Sequence, residues 1–293
     1  MKRVFIEHIT SYLPANKISN NWVEAKIKAG GFPIQEGLLE KIIGSETRYY
    51  ADPNEQVSDL AVAAARKLLQ QLPDTNIDLL IFAAASADLI EPATANIIQQ
   101  KLQLQCACFD LKNACNSVTN AIEVASALLL QNSYKNILIV SGEKTSDSIK
   151  YNDLQKETMK DHFAAYSFGD AGVALLLGTT TADKGFFYQK HKTFGDHWPL
   201  CRIEGGGSMY PNDASKLVFS GDTFGLKNVI YDIAPPFVKE CIREAGLTVA
   251  DIDHICTHQV SKDTYRMVAE TLEYDLNKIV QTFHLFGNTA ATS

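Results

Sequence analysis

Two hydrophobic patterns meet in the stretch Asp110-Leu-Lys-Asn-Ala-Cys-Asn-Ser-Val-Thr119. An apolar run over 106–109 is typical of a buried strand, and apolar residues recur at helical spacing over 118–130. Cys115 therefore falls at a predicted strand-to-helix turn, where Asn113, Asn116, Ser117 and Thr119 are possible caps. Unpaired backbone N–H groups and the helix dipole stabilise a thiolate there, so we expect a nucleophile with a lowered pKa. The alternative is a cysteine packed as a small buried hydrophobic residue.

Outward from this turn, strand-length apolar runs alternate with helical patterns. Strands are predicted at 4–9, 77–85, 106–111, 136–140 and 171–177. Helices are predicted at 19–30, 34–43, 58–72 (with Ser58 as its N-cap), 94–102 and 118–130. This alternation predicts an α/β protein with a largely parallel sheet covered by helices.

The C-terminal part of the chain repeats this order. A predicted helix at 233–245 is followed by a strand at 249–258, a helix at 262–272, and a strand and turn at 279–288. Asp78 precedes Cys115 by 37 positions and Asp253 precedes Asn288 by 35, so we predict equivalent turns in two related halves.

The predicted halves comprise residues 1–180, which carry Cys115, and residues 181–293, which carry His258 and Asn288. In the first half a helix and two strands follow the Cys115 turn. By analogy, we expect the second half to be truncated, with on the order of 30–40 further residues after Ser293.

Composition restricts the class of protein. A chain of 293 residues that is 46% hydrophobic can bury a large core. Its net charge of −7, without clustered basic residues, argues against binding to nucleic acid or to an anionic membrane. The six cysteines follow no disulfide spacing, and the sequence has neither a signal peptide nor an 18-residue apolar stretch. We therefore expect a cytoplasmic protein without a membrane span.

Two further residues are candidates for chemistry with Cys115. His258 ends the predicted strand 249–258, and in open α/β sheets polar residues at strand ends project into a crevice. A histidine and Asn288 facing the cysteine would supply two N–H donors for an oxyanion, although Asn288 could instead be a helix cap. His254 would lie about 13 Å from His258 along a strand, so no metal site is expected. No cofactor is expected, because Gly205-Gly206-Gly207 lacks the lysine and helix of a phosphate-binding loop.

The order Cys, His, Asn along the chain is also that of papain-type hydrolases. Their cysteine lies in a Cys-Gly-Ser/Ala-Cys-Trp/Tyr motif near the mature N-terminus. Cys115 lies in mid-chain and lacks that motif. The sequence therefore disfavours this hydrolase interpretation.

Six short motifs together resemble a known family. They are Gly44-x-x-x-Arg48, Pro53-Asn-Glu-x-Val-Ser58, Asp110-x-x-x-Ala-Cys115, Phe168-Gly-Asp-x-Gly172, His258-Gln259 and Gly287-Asn-Thr-x-Ala291. In this order and spacing they are similar to the thiolase-fold condensing enzymes of the β-ketoacyl-acyl-carrier-protein synthase III group. The resemblance implies a thiolase-like fold of two duplicated βαβαβαββ halves in an α-β-α-β-α layered arrangement, usually as a homodimer.

The resemblance also implies an acyltransferase activity. Cys115 would accept an acyl group from acyl-CoA or an acyl-carrier-protein thioester. His258 and Asn288 would bind the carbonyl of a malonyl-type thioester and stabilise the enolate left by decarboxylation. An alternative is transfer of the acyl group to a hydroxyl or amine without condensation, and a non-catalytic partner subunit is a third possibility that the intact triad disfavours.

The sequence departs from the family at the donor site. Asp263 stands where the family has an arginine implicated in docking the carrier protein, and its charge would repel an acidic carrier. Leu38 and Ile42 replace the tryptophan and arginine that hold the adenine of coenzyme A. These departures indicate a specialised member, as in secondary metabolism, rather than the general initiator of fatty-acid synthesis.

Overall fold

The first seven strands and five helices organise the N-terminal half. The structure, a computed structural model, describes residues 2–293. These elements are β1 (Arg3–Tyr12), β2 (Asn16–Ser19), α1 (Asn20–Ala29), α2 (Leu38–Ile43), β3 (Thr47–Tyr50), α3 (Val57–Gln71), β4 (Leu79–Ala83), α4 (Thr94–Leu102), β5 (Ala107–Leu111), α5 (Ser117–Leu130), β6 (Ile137–Glu143) and β7 (Ala171–Thr180). When the antiparallel pair β2–β3 and the two helices between these strands are left out, the order is the βαβαβαββ that the family resemblance implies.

Five of these strands form one sheet in the order β1-β7-β6-β4-β5. β4 runs parallel to β5 and β6, whereas β7 runs antiparallel to β6 and β1. The prediction of a largely parallel sheet was therefore wrong for two of the four pairings. Between β6 and β7 the chain forms 3₁₀ segments at Thr145–Ser148 and Met159–Ser167 instead of a crossover α-helix, so β7 returns in the opposite direction.

Helices cover both faces of the central strands. On one face α3 packs its alanine-rich side, including Ala61, Ala64 and Leu68, against β6 and β7. On the other face α5 packs Ala121, Ala125 and Leu129 against β4 and β6. Residues of β4 and β6 are accordingly buried throughout, as the unbroken apolar runs predicted.

A pair of glycines lets α3 approach the sheet closely. Gly142 on β6 lies opposite Gly172 on β7. A Cβ at Gly142 would lie 2.1 Å from the carbonyl oxygen of Val57, and one at Gly172 would lie 2.1 Å from that of Leu60. The first turn of α3 therefore rests directly on the backbone of the sheet.

The N-cap of α3 differs from the prediction. The helix is capped at Gln56, whose backbone N–H donates to the Asp59 carboxylate at 2.9 Å. Ser58, predicted as the cap, is already inside the helix and buried, where its hydroxyl accepts a hydrogen bond from Lys101. The capping carboxylate belongs to Asp59, at the third helical position, where it completes a capping box. The prediction considered a serine hydroxyl as the cap and not a carboxylate.

The remaining elements belong to the C-terminal half. They are β8 (Cys201–Ile203), β9 (Phe219–Gly221), α6 (Thr223–Glu244), α7 (Lys262–Leu272) and α8 (Phe283–Phe286). β8 and β9 pair antiparallel, and α6 begins ten residues before the predicted start of its helix. In residues 2–293 no helix is both long and apolar enough to span a bilayer.

The two strands predicted in the C-terminal half are not formed. In the described residues, 249–258 and 279–288 are joined by a parallel bridge between Ile255 and Ile279. Two hydrogen bonds support it, from Ile255 N to the Lys278 oxygen (3.2 Å) and from Val280 N to the Ile255 oxygen (2.9 Å). Two hydrogen bonds are too few to form a β-ladder between the segments. The neighbouring residues Asp253 and His254 are exposed and do not pair with the segment 279–288. His258 therefore lies in a loop rather than at the end of a strand.

Candidate functional site

Cys115 lies in the predicted turn between β5 and α5. The preceding residue, Ala114, has a left-handed backbone (φ 47°), which is strained for any residue with a side chain. The Ser117 hydroxyl accepts a hydrogen bond from Asn113 N at 2.8 Å and donates one to the Ala114 oxygen at 2.7 Å. This hydroxyl holds the strained turn that presents Cys115, and Asn116 occupies the N-cap position of α5.

The protonation state predicted for Cys115 is wrong. The residue is exposed by surface area, but many protein atoms surround its thiol. This desolvation raises the pKa of the thiol to about 12, and the Glu143 carboxylate raises it further through charge repulsion. The N-terminal position relative to α5 favours the thiolate, but desolvation and a neighbouring anion outweigh it. Cys115 is consequently a neutral thiol near pH 7.

Glu143 is a fully buried carboxyl group at the end of β6. One oxygen accepts from Ala85 N at 2.7 Å, and the other accepts from Ser86 N and the Ser86 hydroxyl at 3.1 and 2.7 Å. A longer bond of 3.4 Å comes from Ala291 N, in the turn that follows Asn288. Burial raises the pKa of Glu143, while these donors favour its ionised form. Glu143 thus connects the loop after β4 to the Asn288 turn.

Asn288 lies in a turn anchored to the segment before β7. Its backbone N–H donates to the Ser167 oxygen at 2.9 Å, and its own oxygen accepts from Gly169 N at 3.0 Å. The side-chain oxygen accepts from Ala290 N at 3.0 Å, so Asn288 caps its own turn. In the described part of the chain the side-chain Nδ2 makes no hydrogen bond. The cap therefore uses the oxygen of the amide and not its Nδ2.

His258 is held by the last residue of the same turn. Its Nδ1 lies 2.5 Å from the Ser293 hydroxyl oxygen. Its Nε2 is buried and has no hydrogen-bond partner among residues 2–293. Burial lowers the pKa of His258 to about 4, so the imidazole is neutral near pH 7.

Contacts of the segment Ala290–Thr292 link the neighbourhoods of these three residues. Helix α5, which follows Cys115, contacts this segment. Glu143 interacts with Cys115 and with Ala291, and Ser293 joins the same segment to His258. The turn 288–293 thus contains Asn288 and contacts α5, Glu143 and His258. A thiol can accept an acyl group, and imidazole and amide groups can bind an oxyanion.

Glu143 and Ser293 were missed in the sequence. A carboxylate three residues after the apolar run 137–140 is the signal that could have found Glu143, because polar residues at the carboxyl ends of parallel strands line crevices. Ser293 carried no local signal, since its contact to His258 spans 35 positions.

The charge of Asp263 is compensated in the structure. Lys227 on α6 lies 2.6 Å from its carboxylate, and both side chains are about half exposed. The repulsion of an acidic carrier that Asp263 alone predicts is thereby reduced. Next to this pair, a cavity of about 270 Å³ is lined in part by the cationic side chains of Lys262 and Arg266.

Comparison with known proteins identifies matches along most of the chain. Residues 109–195 match the family described as 3-oxoacyl-[acyl-carrier-protein (ACP)] synthase III, and residues 242–293 match its C-terminal domain. The β-ketoacyl-[acyl-carrier-protein] synthase III of Neisseria meningitidis serogroup C is 32% identical over 288 residues, which cover 97% of this chain and 85% of that protein. The Neisseria gonorrhoeae protein of the same name is 31% identical with the same coverage.

Solved structures show the same fold. A crystal structure of 3-oxoacyl-(acyl-carrier-protein) synthase III superposes with a TM-score of 0.84 at 19% identity, over 99% of this chain and 88% of that one. Xanthomonas campestris OleA, solved with lauric acid and lauroyl-CoA, gives a TM-score of 0.88 at 22% identity with the same coverage. The predicted thiolase-like α/β fold is therefore confirmed.

Proposed function

The chain belongs to the 3-oxoacyl-[acyl-carrier-protein] synthase III family, and we propose that it transfers an acyl group from a thioester to Cys115 and condenses it with a malonyl-type thioester. The observation that supports this proposal is that the turn 288–293, which contains Asn288, contacts α5 after Cys115 and holds His258 through Ser293. Acyl-CoA and acyl-carrier-protein thioesters are the proposed donors. The cytoplasm is the proposed location.

The reaction would proceed in two stages at this site. In the first, the Cys115 sulfur attacks the donor carbonyl, the donor C–S bond breaks, and a free thiol leaves. In the second, the malonyl-type thioester loses carbon dioxide, and its carbonyl oxygen takes up the negative charge of the enolate. The Asn288 amide and the His258 imidazole bind that oxygen. The enolate carbon then attacks the acyl-Cys115 carbonyl and releases the cysteine.

A second candidate reaction is acyl transfer from Cys115 to a hydroxyl or amine. The altered donor site favours it, because Asp263, Leu38 and Ile42 replace the residues that the resemblance assigns to donor recognition. Both reactions share the acyl-Cys115 intermediate and differ only in the nucleophile that releases it.

Intact-mass spectrometry after incubation with a panel of acyl-thioesters tests the shared intermediate. We expect an acyl adduct on the wild type and on Cys256→Ala, a matched exposed cysteine, but not on Cys115→Ala. Carbon dioxide release that requires both the acyl donor and a malonyl thioester would identify condensation. Absence of an adduct with every donor would overturn both candidate reactions.

We also propose a homodimer formed along β5. β5 is an edge strand of the sheet, and Phe109 at its middle is 37% exposed. Ile90, in the loop between β4 and α4, is 90% exposed, so this side of the molecule has an apolar surface to cover. A second copy pairing with β5 would satisfy the edge, and light scattering should report a dimer that Phe109→Asp converts to a monomer.

A further inference from the structure

The cavity of about 270 Å³ beside the start of α7 has a mainly polar lining. Three of its residues belong to α7 at the spacing i, i+3 and i+4, which places them on one side of the helix. The other walls come from the segment before β3 and from the segment that leads into α8, and a backbone hydrogen bond of 2.9 Å joins these two segments. The polar lining residues are Lys262, Tyr265, Arg266, Glu46, Gln281 and His284.

The Tyr265 hydroxyl is the group in this cavity that points to a ligand. Tyr265 is only 3% exposed, and its ring packs with Ile279 and Phe283. Its hydroxyl has no hydrogen-bond partner among residues 2–293, and it is not fully enclosed by protein atoms. Because Tyr265 lines the cavity, the accessible end of this buried side chain faces it. Buried tyrosine hydroxyls usually have a partner, so the cavity presents an unused donor.

Two cationic side chains lie beside this hydroxyl. A Cβ at Gly44 would lie 3.0 Å from the Lys262 Cδ, so the stem of Lys262 passes directly over the Gly44 backbone. Arg266 lies one helical turn farther along α7. In the part of the chain that the structure describes, neither cation has an acidic partner within 4 Å, and Glu46 has no basic one. The charges of the cavity are therefore not paired with one another.

We propose that this cavity binds a small molecule through an oxyanion, either a phosphate or a carboxylate group, which accepts hydrogen bonds from Tyr265, Lys262 and Arg266. Lysine and arginine side chains can only donate, and the unpaired tyrosine hydroxyl has a proton to give. An oxyanion accepts several such bonds, and bonds between charged groups are stronger than neutral ones. The planar guanidinium of arginine also matches two oxygens of a phosphate or carboxylate.

Glu46 and the size of the cavity narrow the class of ligand. The Glu46 carboxylate lines the same space and can only accept, so it suits a hydroxyl or ammonium group on the ligand and disfavours a second negative charge. A volume of about 270 Å³ is at the lower end for small-molecule sites. The ligand is thus a small hydroxy or amino compound that carries one oxyanion.

Phosphorus-31 NMR of inorganic phosphate, titrated with the full chain at low salt, measures the dissociation constant. We expect Arg266→Gln to weaken binding at least about fivefold, because it removes a charged donor. Tyr265→Phe should weaken binding roughly threefold without lowering the midpoint of thermal unfolding, since the hydroxyl has no protein partner. Glu46→Gln should strengthen binding roughly threefold, because it removes a like charge.

Three variants serve as controls and should bind phosphate as the wild type does. Arg243→Gln removes a cation that lines another cavity, and Tyr231→Phe removes the hydroxyl of an exposed tyrosine. Cys115→Ala removes the proposed acyl acceptor, so normal phosphate binding by this variant would separate the cavity from the proposed function. A loss of binding in Cys115→Ala would show that the phosphate lies at the Cys115 site and would overturn the proposal.

Competition experiments distinguish the sources of the oxyanion. Displacement of phosphate by acetate would assign carboxylates to the same cavity, whereas displacement by coenzyme A but not by acetate would assign the phosphate to the acyl donor. Binding that is unchanged in both Arg266→Gln and Tyr265→Phe, or weakened equally in Arg243→Gln, would overturn the proposal. Absence of saturable binding of both phosphate and acetate would overturn it as well.

Discussion

Asn288 and Ser167 are joined across the two halves of the chain, with the Asn288 N–H donating to the Ser167 oxygen at 2.9 Å. The reciprocal bond from Gly169 to Asn288 makes this a parallel bridge between Phe168 and Asn288. The end of the first half thereby sets the position of a residue that the second half contributes. These two backbone hydrogen bonds fix the position of the Asn288 side chain.

Gly287→Ala should therefore damage both stability and activity. Gly287 has a φ of 70°, and a Cβ there would lie 2.1 Å from the Ser167 oxygen. We expect a loss of about 1–3 kcal/mol in the free energy of unfolding and on the order of 100-fold in turnover, because Asn288 is displaced. Denaturant unfolding and steady-state kinetics measure these, with Gly207→Ala as the control, since a Cβ there has no neighbour within 4 Å. Wild-type turnover in Gly287→Ala would show that the bridge does not position Asn288.

Glu143→Gln should make Cys115 more reactive. The Glu143 carboxylate raises the pKa of the thiol, so its neutral replacement lowers that pKa and increases the thiolate fraction at pH 8. We expect roughly tenfold faster alkylation by iodoacetamide, which corresponds to a pKa lower by about one. Glu157→Gln, at an exposed position, is the control. Unchanged alkylation of folded Glu143→Gln would show that Glu143 does not control the thiol.

The malonyl stage should be insensitive to pH where a histidine usually titrates. Burial lowers the pKa of His258 to about 4, so the imidazole stays neutral as the pH falls through 6.5, the ordinary value. We expect carbon dioxide release from pre-acylated protein to show no break near pH 6.5 and to change only toward pH 4. A break near 6.5 that is lost in His258→Gln would show that His258 titrates at its ordinary value.

Asp263→Arg should favour carrier-linked donors. The pair with Lys227 is about half exposed and contributes roughly 0–1 kcal/mol, so stability should change little. Reversal of the charge beside Lys227, Lys262 and Arg266 should lower the KM for an acyl-carrier-protein thioester several-fold at low salt and have less effect on acyl-CoA.

Glu270→Arg makes the same charge change farther along α7 and serves as its control. Equal effects of the two substitutions on both donors would show that general charge, rather than the position of Asp263, is responsible.

The local sequence pattern was sufficient to predict the strands and the turn that carry Cys115. The apolar runs of β4 and β6 and the change of period around Cys115 predicted a strand-to-helix turn that the structure confirms, because these features depend on neighbours within a few residues. The alternation of strands and helices in the first half was predicted for the same reason, and the βαβαβαββ unit was implied by the family resemblance.

The other features of the site depend on contacts between residues far apart in the sequence, which local pattern does not predict. The thiol pKa was predicted in the wrong direction because burial, and after it the charge of Glu143 on another strand, outweigh the helix terminus. The strand predicted before His258 does not form, because the segment 279–288 contacts it through a single bridge, between Ile255 and Ile279. Whether two segments pair is a tertiary property that the local pattern of residue types does not determine. The Ser293–His258 contact joins two loops, and no periodicity specifies it.

In a mutant library built to change acyl selectivity, codons 142 and 172 belong outside the randomised set. Any side chain at Gly142 or Gly172 would displace the first turn of α3 from the sheet. Gly142 immediately precedes Glu143, so such a shift would disturb the surroundings of Cys115 at the same time as the core. Variants lost for this reason would be indistinguishable, in an activity screen, from variants with an altered substrate preference. Fixing both codons keeps the screen informative about substrate preference.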